Sequence, residues 1–147
     1  MKTFKNKEQV LEYIKKIGKG KVILIRGSTA TKPLKNFSDI DIEVYSDKLK
    51  KAYYEIVLVN KKIVLITIYY YKYEKGREIK ASKNVKIISG GYNEGIEKSF
   101  NSPGHFAKDK YNHQEKIKRE CQMVTDFMFK YLRTKNKEYL KSVQKRI

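Results

Sequence analysis

Two pairs of residues in the first third of the chain have the types and the spacing for phosphate chemistry. Gly27-Ser28 follows the apolar run Val22 to Ile25, and after ten intervening residues Asp39 and Asp41 alternate with Ile40, Ile42 and Val44. A glycine at the end of a strand lets backbone come close to a phosphate, and Ser28 adds a hydroxyl and an amide. The two-residue period of a strand puts both carboxylates on one face and the aliphatics on the other. Neighbouring carboxylates repel, so the pair calls for a cation. Hard oxygen ligands a few ångströms apart suit Mg²⁺ that keeps several waters and shares the phosphates of a triphosphate.

The elements that must position these residues follow from the local pattern. Residues 7 to about 17 read as a helix: Asn6 caps it, Gln9 stands as in a capping box, Val10, Leu11, Ile14 and Ile17 form its apolar stripe, and Gly18 ends it. Gly18-Lys19-Gly20-Lys21 is a tight basic turn into the strand Val22 to Arg26. Ser28 to about Ala30 opens a short helix whose N-terminus faces phosphate, and Pro33 limits its length. Lys32 and Lys35 in the following loop either meet phosphate or are solvated, and Phe37 anchors that loop. A strand from Asp39 to Tyr45 precedes Ser46-Asp47, a cap for a short helix through Tyr54. Residues 55–59 and 62–72 then form an antiparallel hairpin around Asn60-Lys61. Glu43 shares the carboxylate face but lies roughly 7 Å beyond Asp41 along the strand, the place of a solvent or salt-bridge residue more than of a ligand.

Gly-Ser, ten residues, then Asp-x-Asp on a strand resembles the core signature of the DNA polymerase β-like nucleotidyltransferase superfamily. Within it the short chain is most similar to the minimal nucleotidyltransferases, which include the antitoxin partners of HEPN ribonuclease toxins. The resemblance covers residues 21–45, and more loosely extends to residue 72. It implies an α/β (α+β) fold, a nucleotidyltransferase-like mixed β-sheet with helices on one side and a C-terminal helical segment. It also implies Asp39 and Asp41 as catalytic metal ligands for two Mg²⁺ ions, and Gly27 and Ser28 as the nucleotide-binding turn. The reaction implied is transfer of a nucleoside monophosphate from a nucleoside triphosphate to a hydroxyl of RNA, of a protein such as a HEPN-type toxin, or of a small molecule. The family pattern has a third carboxylate on the hairpin, and Thr67 stands at the best-matching position. Thr67 can hydrogen-bond but cannot serve as an anionic base. Glu43 or Glu55 would have to substitute for it.

Tyr69, Tyr70, Tyr71 and Tyr73 form an aromatic cluster read as a strand edge, able to stack a nucleobase or simply to pack. Residues 72–83 form a polar turn region around Gly76, followed by a strand at Val85 to Ser89 and a break at Gly90-Gly91. Helix signals dominate from Asn93: a short helix to Phe100, a stop at residues 101–104, and a long helix from about Lys110 to Arg133. Ile117, Cys121, Val124, Met128 and Tyr131 make one apolar stripe in the long helix, with Cys121 a small core residue. A last helix beginning near Asn136 folds back or pairs with another subunit, giving a homo-oligomer. His105 and His113 are read as structural or exposed. The organisation expected is a nucleotidyltransferase core over residues 1–92 and a helical segment over 93–147, packed as one domain.

Composition narrows the field less sharply. The 147 residues carry a net charge of +18, which favours anionic partners: nucleic acid, nucleotides or an acidic protein. RNA is favoured among acceptors on that ground, although a lysine-rich solvated surface gives the same count. One cysteine and two histidines give no internal disulfide and no zinc-type ligand set. Neither a long uncharged apolar span nor a secretory leader is indicated, so the expectation is a cytoplasmic protein without a membrane anchor. Two other functions stay open: a catalytically weak or inactive binding module of antitoxin type, and a basic nucleic-acid-binding domain.

Overall fold

In the computed structural model residues 1–73, 84–90 and 113–147 are described. The turn around Gly76, the short helix at 93–100 and His105 lie outside them. Helix α1 (Lys7–Gly18) forms as its caps dictate. The Asn6 side chain accepts from the Gln9 amide at 3.0 Å, and the Gln9 side chain accepts from the Lys5 amide at 2.8 Å. Lys19, at φ 49°, closes the last turn.

Six strands make one mixed sheet in the order β1-β4-β5-β3-β2-β6: β1 (Thr3–Phe4), β2 (Val22–Arg26), β3 (Ser38–Ser46), β4 (Tyr53–Val59), β5 (Lys62–Lys72) and β6 (Val85–Ser89). β3 runs parallel to β5 and antiparallel to β2. This register is fixed by alternation, because a one-residue slip would turn every aliphatic outward. Ile40, Ile42, Ile66 and Ile68 are fully buried on the face that packs against Val10 and Ile14 of α1. Each such side chain contributes about 1.5–3 kcal/mol, and Ile42→Ala would cost about 2–5 kcal/mol.

The opposite face carries Asp39, Asp41, Glu43 and Tyr45, and α2 (His113–Thr134) lies over it, in contact with β3. Helix α3 (Lys137–Gln144), capped by Asn136, folds back on α2. Phe127 stacks on Tyr139 at 6.4 Å, and Arg146 reaches Glu120 at 2.8 Å.

Two local expectations are corrected. No helix follows Ser46: β3 runs to Ser46 itself, residues 47–52 are irregular, and β4 starts at Tyr53. That segment has no apolar face to bury, since Leu49 is 53% exposed. The tyrosine cluster lies on the inner strand β5 but beyond Ile68, where pairing with β4 ends, so Tyr69, Tyr70 and Tyr71 pair with β3 alone and border a locally open edge; Tyr70 is buried, while Tyr71 stacks on Tyr45. Cys121 is exposed and Ile117 is half exposed, so the buried anchor of α2 is Phe129, outside the expected stripe. The helix is rotated so that Asp126, Phe129 and Arg133 face the acidic side of the sheet, where charge pairing adds to packing. Strand β1 was not signalled by the sequence; it pairs in parallel with Leu58 and Val59.

Candidate active site

The two motifs meet because β2 and β3 are antiparallel neighbours. Arg26, immediately before Gly27, lies directly opposite Asp41, so the turn leaving β2 sits beside the start of β3. Gly27 has φ 79° and ψ −166°, a conformation essentially confined to glycine, and a Cβ there would meet nothing within 4 Å. The backbone, not crowding, therefore demands glycine, and the space above the turn is open. Ser28–Ala30 is a single 3-10 turn with Ser28 exposed. Buried Thr29 donates its hydroxyl to the Asp39 carbonyl at 3.0 Å, fastening the turn to the acid strand. Lys7 of α1 holds the same loop by donating to the carbonyls of Thr29 and Lys32. Phe37, at φ 62°, packs edge-on against Phe129 at 5.8 Å, as the anchor expected of it.

Asp39 and Asp41 share one face, and cations from α2 meet them there. Arg133 Nη1 lies 2.6 Å from Asp39 Oδ1 and also donates to the Phe37 carbonyl at 3.2 Å. Burial, then the Asp39 charge and then that of Asp126 push the Asp41 carboxyl up to about 7, against the opposing pull of Lys130 and Arg133. A carboxylate held so far above its usual range is one whose ionised form needs a cation. Two hard oxygen donors of this kind fit Mg²⁺, which binds through one or two carboxylates and substrate phosphates. Among the described residues, no group of three or more His, Cys, Asp or Glu side chains is placed to hold a metal ion.

Neither expected substitute supplies a third acid. Glu43 is on the right face but is committed: Arg26 grips it with two hydrogen bonds, of 2.5 and 3.1 Å, and the Tyr45 hydroxyl donates at 2.8 Å. Glu55 points to the α1 face, where Lys2, Tyr13 and Tyr53 all donate to it. Thr67 does stand in register beside Asp41, buried at 3% exposure. The acid near this position comes from α2: Asp126, held by Lys130 at 2.8 Å, lines a cavity of about 190 Å³ together with Thr67. Burial alone would lower the Lys130 ammonium's proton affinity, but the bond to Asp126 together with the charges of Asp126, Asp39 and Asp41 outweighs it and the pKa is raised. The sequence held one signal for this: Asp126, Lys130 and Arg133 recur on one side of a helix, at a spacing that places them together.

The family model for the nucleotidyltransferase domain matches residues 7–146. The chain belongs to that family, as its Gly-Ser and Asp-x-Asp spacing implied. Comparison with curated proteins and with solved structures returns no match. No helix among the described residues is long and apolar enough to cross a membrane.

Proposed function

We propose that the chain transfers the nucleoside monophosphate of a nucleoside triphosphate to a hydroxyl acceptor. The observation that carries this is the fastening of the Gly27–Ser28 turn to the Asp39 backbone by Thr29, with Asp39 and Asp41 on one face beside it. Gly27 and Ser28 receive the triphosphate where no side chain intrudes. Asp39 and Asp41 would hold Mg²⁺, expected as two ions, which would neutralise charge on the phosphates. The acceptor oxygen forms a bond to the α-phosphorus, the bond from that phosphorus to the bridging oxygen breaks, and pyrophosphate leaves. Arg133 occupies Asp39 Oδ1, so a metal ion bound through that oxygen would displace the guanidinium. Acceptors open to this chemistry are an RNA end, a protein hydroxyl such as one on a HEPN-type toxin, and a small molecule.

A second reading is a nucleotidyltransferase-like module that binds a partner without turnover. It is favoured by the Arg133 guanidinium lying where a cation is needed and by threonine at the third acid position. Pyrophosphate release with Mg²⁺ and each nucleoside triphosphate, supplied with RNA or protein acceptors, separates the two. Release that disappears in Asp39→Ala and Asp41→Ala supports the enzyme. Tight partner binding with no release, unchanged in both variants, would establish the module instead.

A further inference from the structure

The cavity between α2 and the β4–β5 hairpin is lined by none of Gly27, Ser28, Asp39 and Asp41, yet it adjoins the acid face. Thr67 sits at its floor, in register with Asp41. Thr67 as a whole is 3% exposed, and its hydroxyl has no hydrogen-bond partner among the described residues. A buried hydroxyl left unpaired costs stability unless something else satisfies it. Tyr54 and Tyr69, ring centroids 6.5 Å apart in an edge-on pair, form one wall; Arg119, Gln122 and Asp126 of α2 form the other. At about 190 Å³ the space takes a single ring, since a cavity of roughly 150 Å³ accepts benzene. The lining offers donors, an anionic acceptor and aromatic surfaces, which together suit a sugar.

We infer that this cavity is the acceptor subsite, that it receives the terminal ribose of an RNA strand, and that Asp126 is the base for the ribose hydroxyl. The inference rests on the nucleotidyl-transfer reading above. Asp126 is oriented by Lys130, which donates to it at 2.8 Å. Its carboxylate takes the hydroxyl proton as the oxygen bonds to the α-phosphorus, and the electron pair of the breaking bond leaves with pyrophosphate. Thr67, in register with Asp41, hydrogen-bonds the incoming sugar in place of the carboxylate its position carries in the family pattern. RNA is favoured over a protein hydroxyl by the net charge of +18 and by the exposed Lys116 and Lys118 flanking Arg119 on the same helix.

The test uses the full chain and a short RNA with a 5′ fluorophore and a free terminal ribose. Met123, which also lines the cavity, is changed to tryptophan to fill it. Met123→Trp is expected to weaken RNA binding about tenfold or more while nucleotide affinity, the control for folding, stays within about twofold. Equal RNA binding by both proteins overturns the subsite. With Mg²⁺ and α-labelled triphosphates, Asp126→Asn is expected to lower label transfer to RNA by about 10²-fold at unchanged RNA affinity, and Asp126→Glu to recover part of it. Undiminished transfer by Asp126→Asn, or label appearing on protein and not on RNA, overturns the assignment. If the wild type labels no acceptor, the activity and the role of Asp126 fail together. The Met123→Trp binding comparison decides the subsite in either case.

Discussion

Removing the Arg133 guanidinium should make the acid pair bind Mg²⁺ more tightly, even though it removes a stabilising contact. Arg133 lies 2.6 Å from Asp39, with side chains 27% and 15% exposed. Unit charges about 4 Å apart attract by about 4 kcal/mol at an effective dielectric of about 20. The net value lies between a surface pair at about 0.2–1 kcal/mol and the roughly 3–5 kcal/mol lost on breaking a buried one. About 1–3 kcal/mol is therefore expected. Arg133→Ala should lose about this much stability without metal, partly through the Phe37 carbonyl contact at 3.2 Å. Because Mg²⁺ no longer has to displace the guanidinium, its affinity should rise by about 5- to 150-fold, the same free energy expressed as a ratio. Calorimetric Mg²⁺ titration and thermal denaturation at several Mg²⁺ concentrations would measure both. Unchanged or weaker Mg²⁺ binding by Arg133→Ala would refute the idea that the guanidinium stands in for the ion.

Asp41 makes stability and metal binding depend on pH. Its carboxyl is raised from 3.8 to about 7 in the folded chain, so the fold prefers the protonated form. The resulting penalty is absent below about pH 4 and grows to a few kcal/mol as pH rises to about 7. Denaturant unfolding without metal should become easier across that window, and Asp41→Asn should flatten the trend. Near pH 6 Mg²⁺ binding should also release a proton, read as a calorimetric enthalpy that varies with the buffer. Gly27→Ala should cost about 1–3 kcal/mol from backbone strain at φ 79°, with a proportionate loss of nucleotide affinity in a direct binding assay. Phe129→Ala should cost about 3–5 kcal/mol and, by freeing α2 from Phe37, lower both Mg²⁺ and nucleotide affinity.

What could be read from the sequence was whatever depends on neighbours along the chain. The Asn6 cap, the start of the last helix near Asn136, the Asn60-Lys61 turn and the alternation of Asp39 and Asp41 with isoleucines are local chemistry, and the structure has them where expected. Glycine and serine at the end of an apolar strand were equally legible. What could not be read depends on which faces meet. Glu43 was expected as a salt-bridge residue more than a ligand and is taken by Arg26, while Glu55, the other candidate acid, faces α1. The rotation of α2 is set by charge: its apolar stripe suggested Cys121 inside, whereas attraction between Arg133 and Asp39 and the packing of Phe129 on Phe37 turn a mixed face inward. The helical spacing of Asp126, Lys130 and Arg133 groups them on one side, but that this side meets the acid face of the sheet was not legible, since Asp126 lies 85 positions beyond Asp41 in the chain.

The most direct measurement follows the phosphorus atom. The protein is incubated with Mg²⁺ and triphosphates labelled in parallel at the α- or the γ-phosphate, with RNA and protein acceptors, alongside Asp39→Asn and Asp41→Asn. Nucleotidyl transfer predicts that only the α-label becomes covalently attached to an acceptor, that the γ-label leaves as pyrophosphate, and that both variants lose transfer by orders of magnitude. Attachment of the γ-label, or α-label transfer undiminished when both carboxylates are neutralised, would contradict a reaction carried by Asp39 and Asp41.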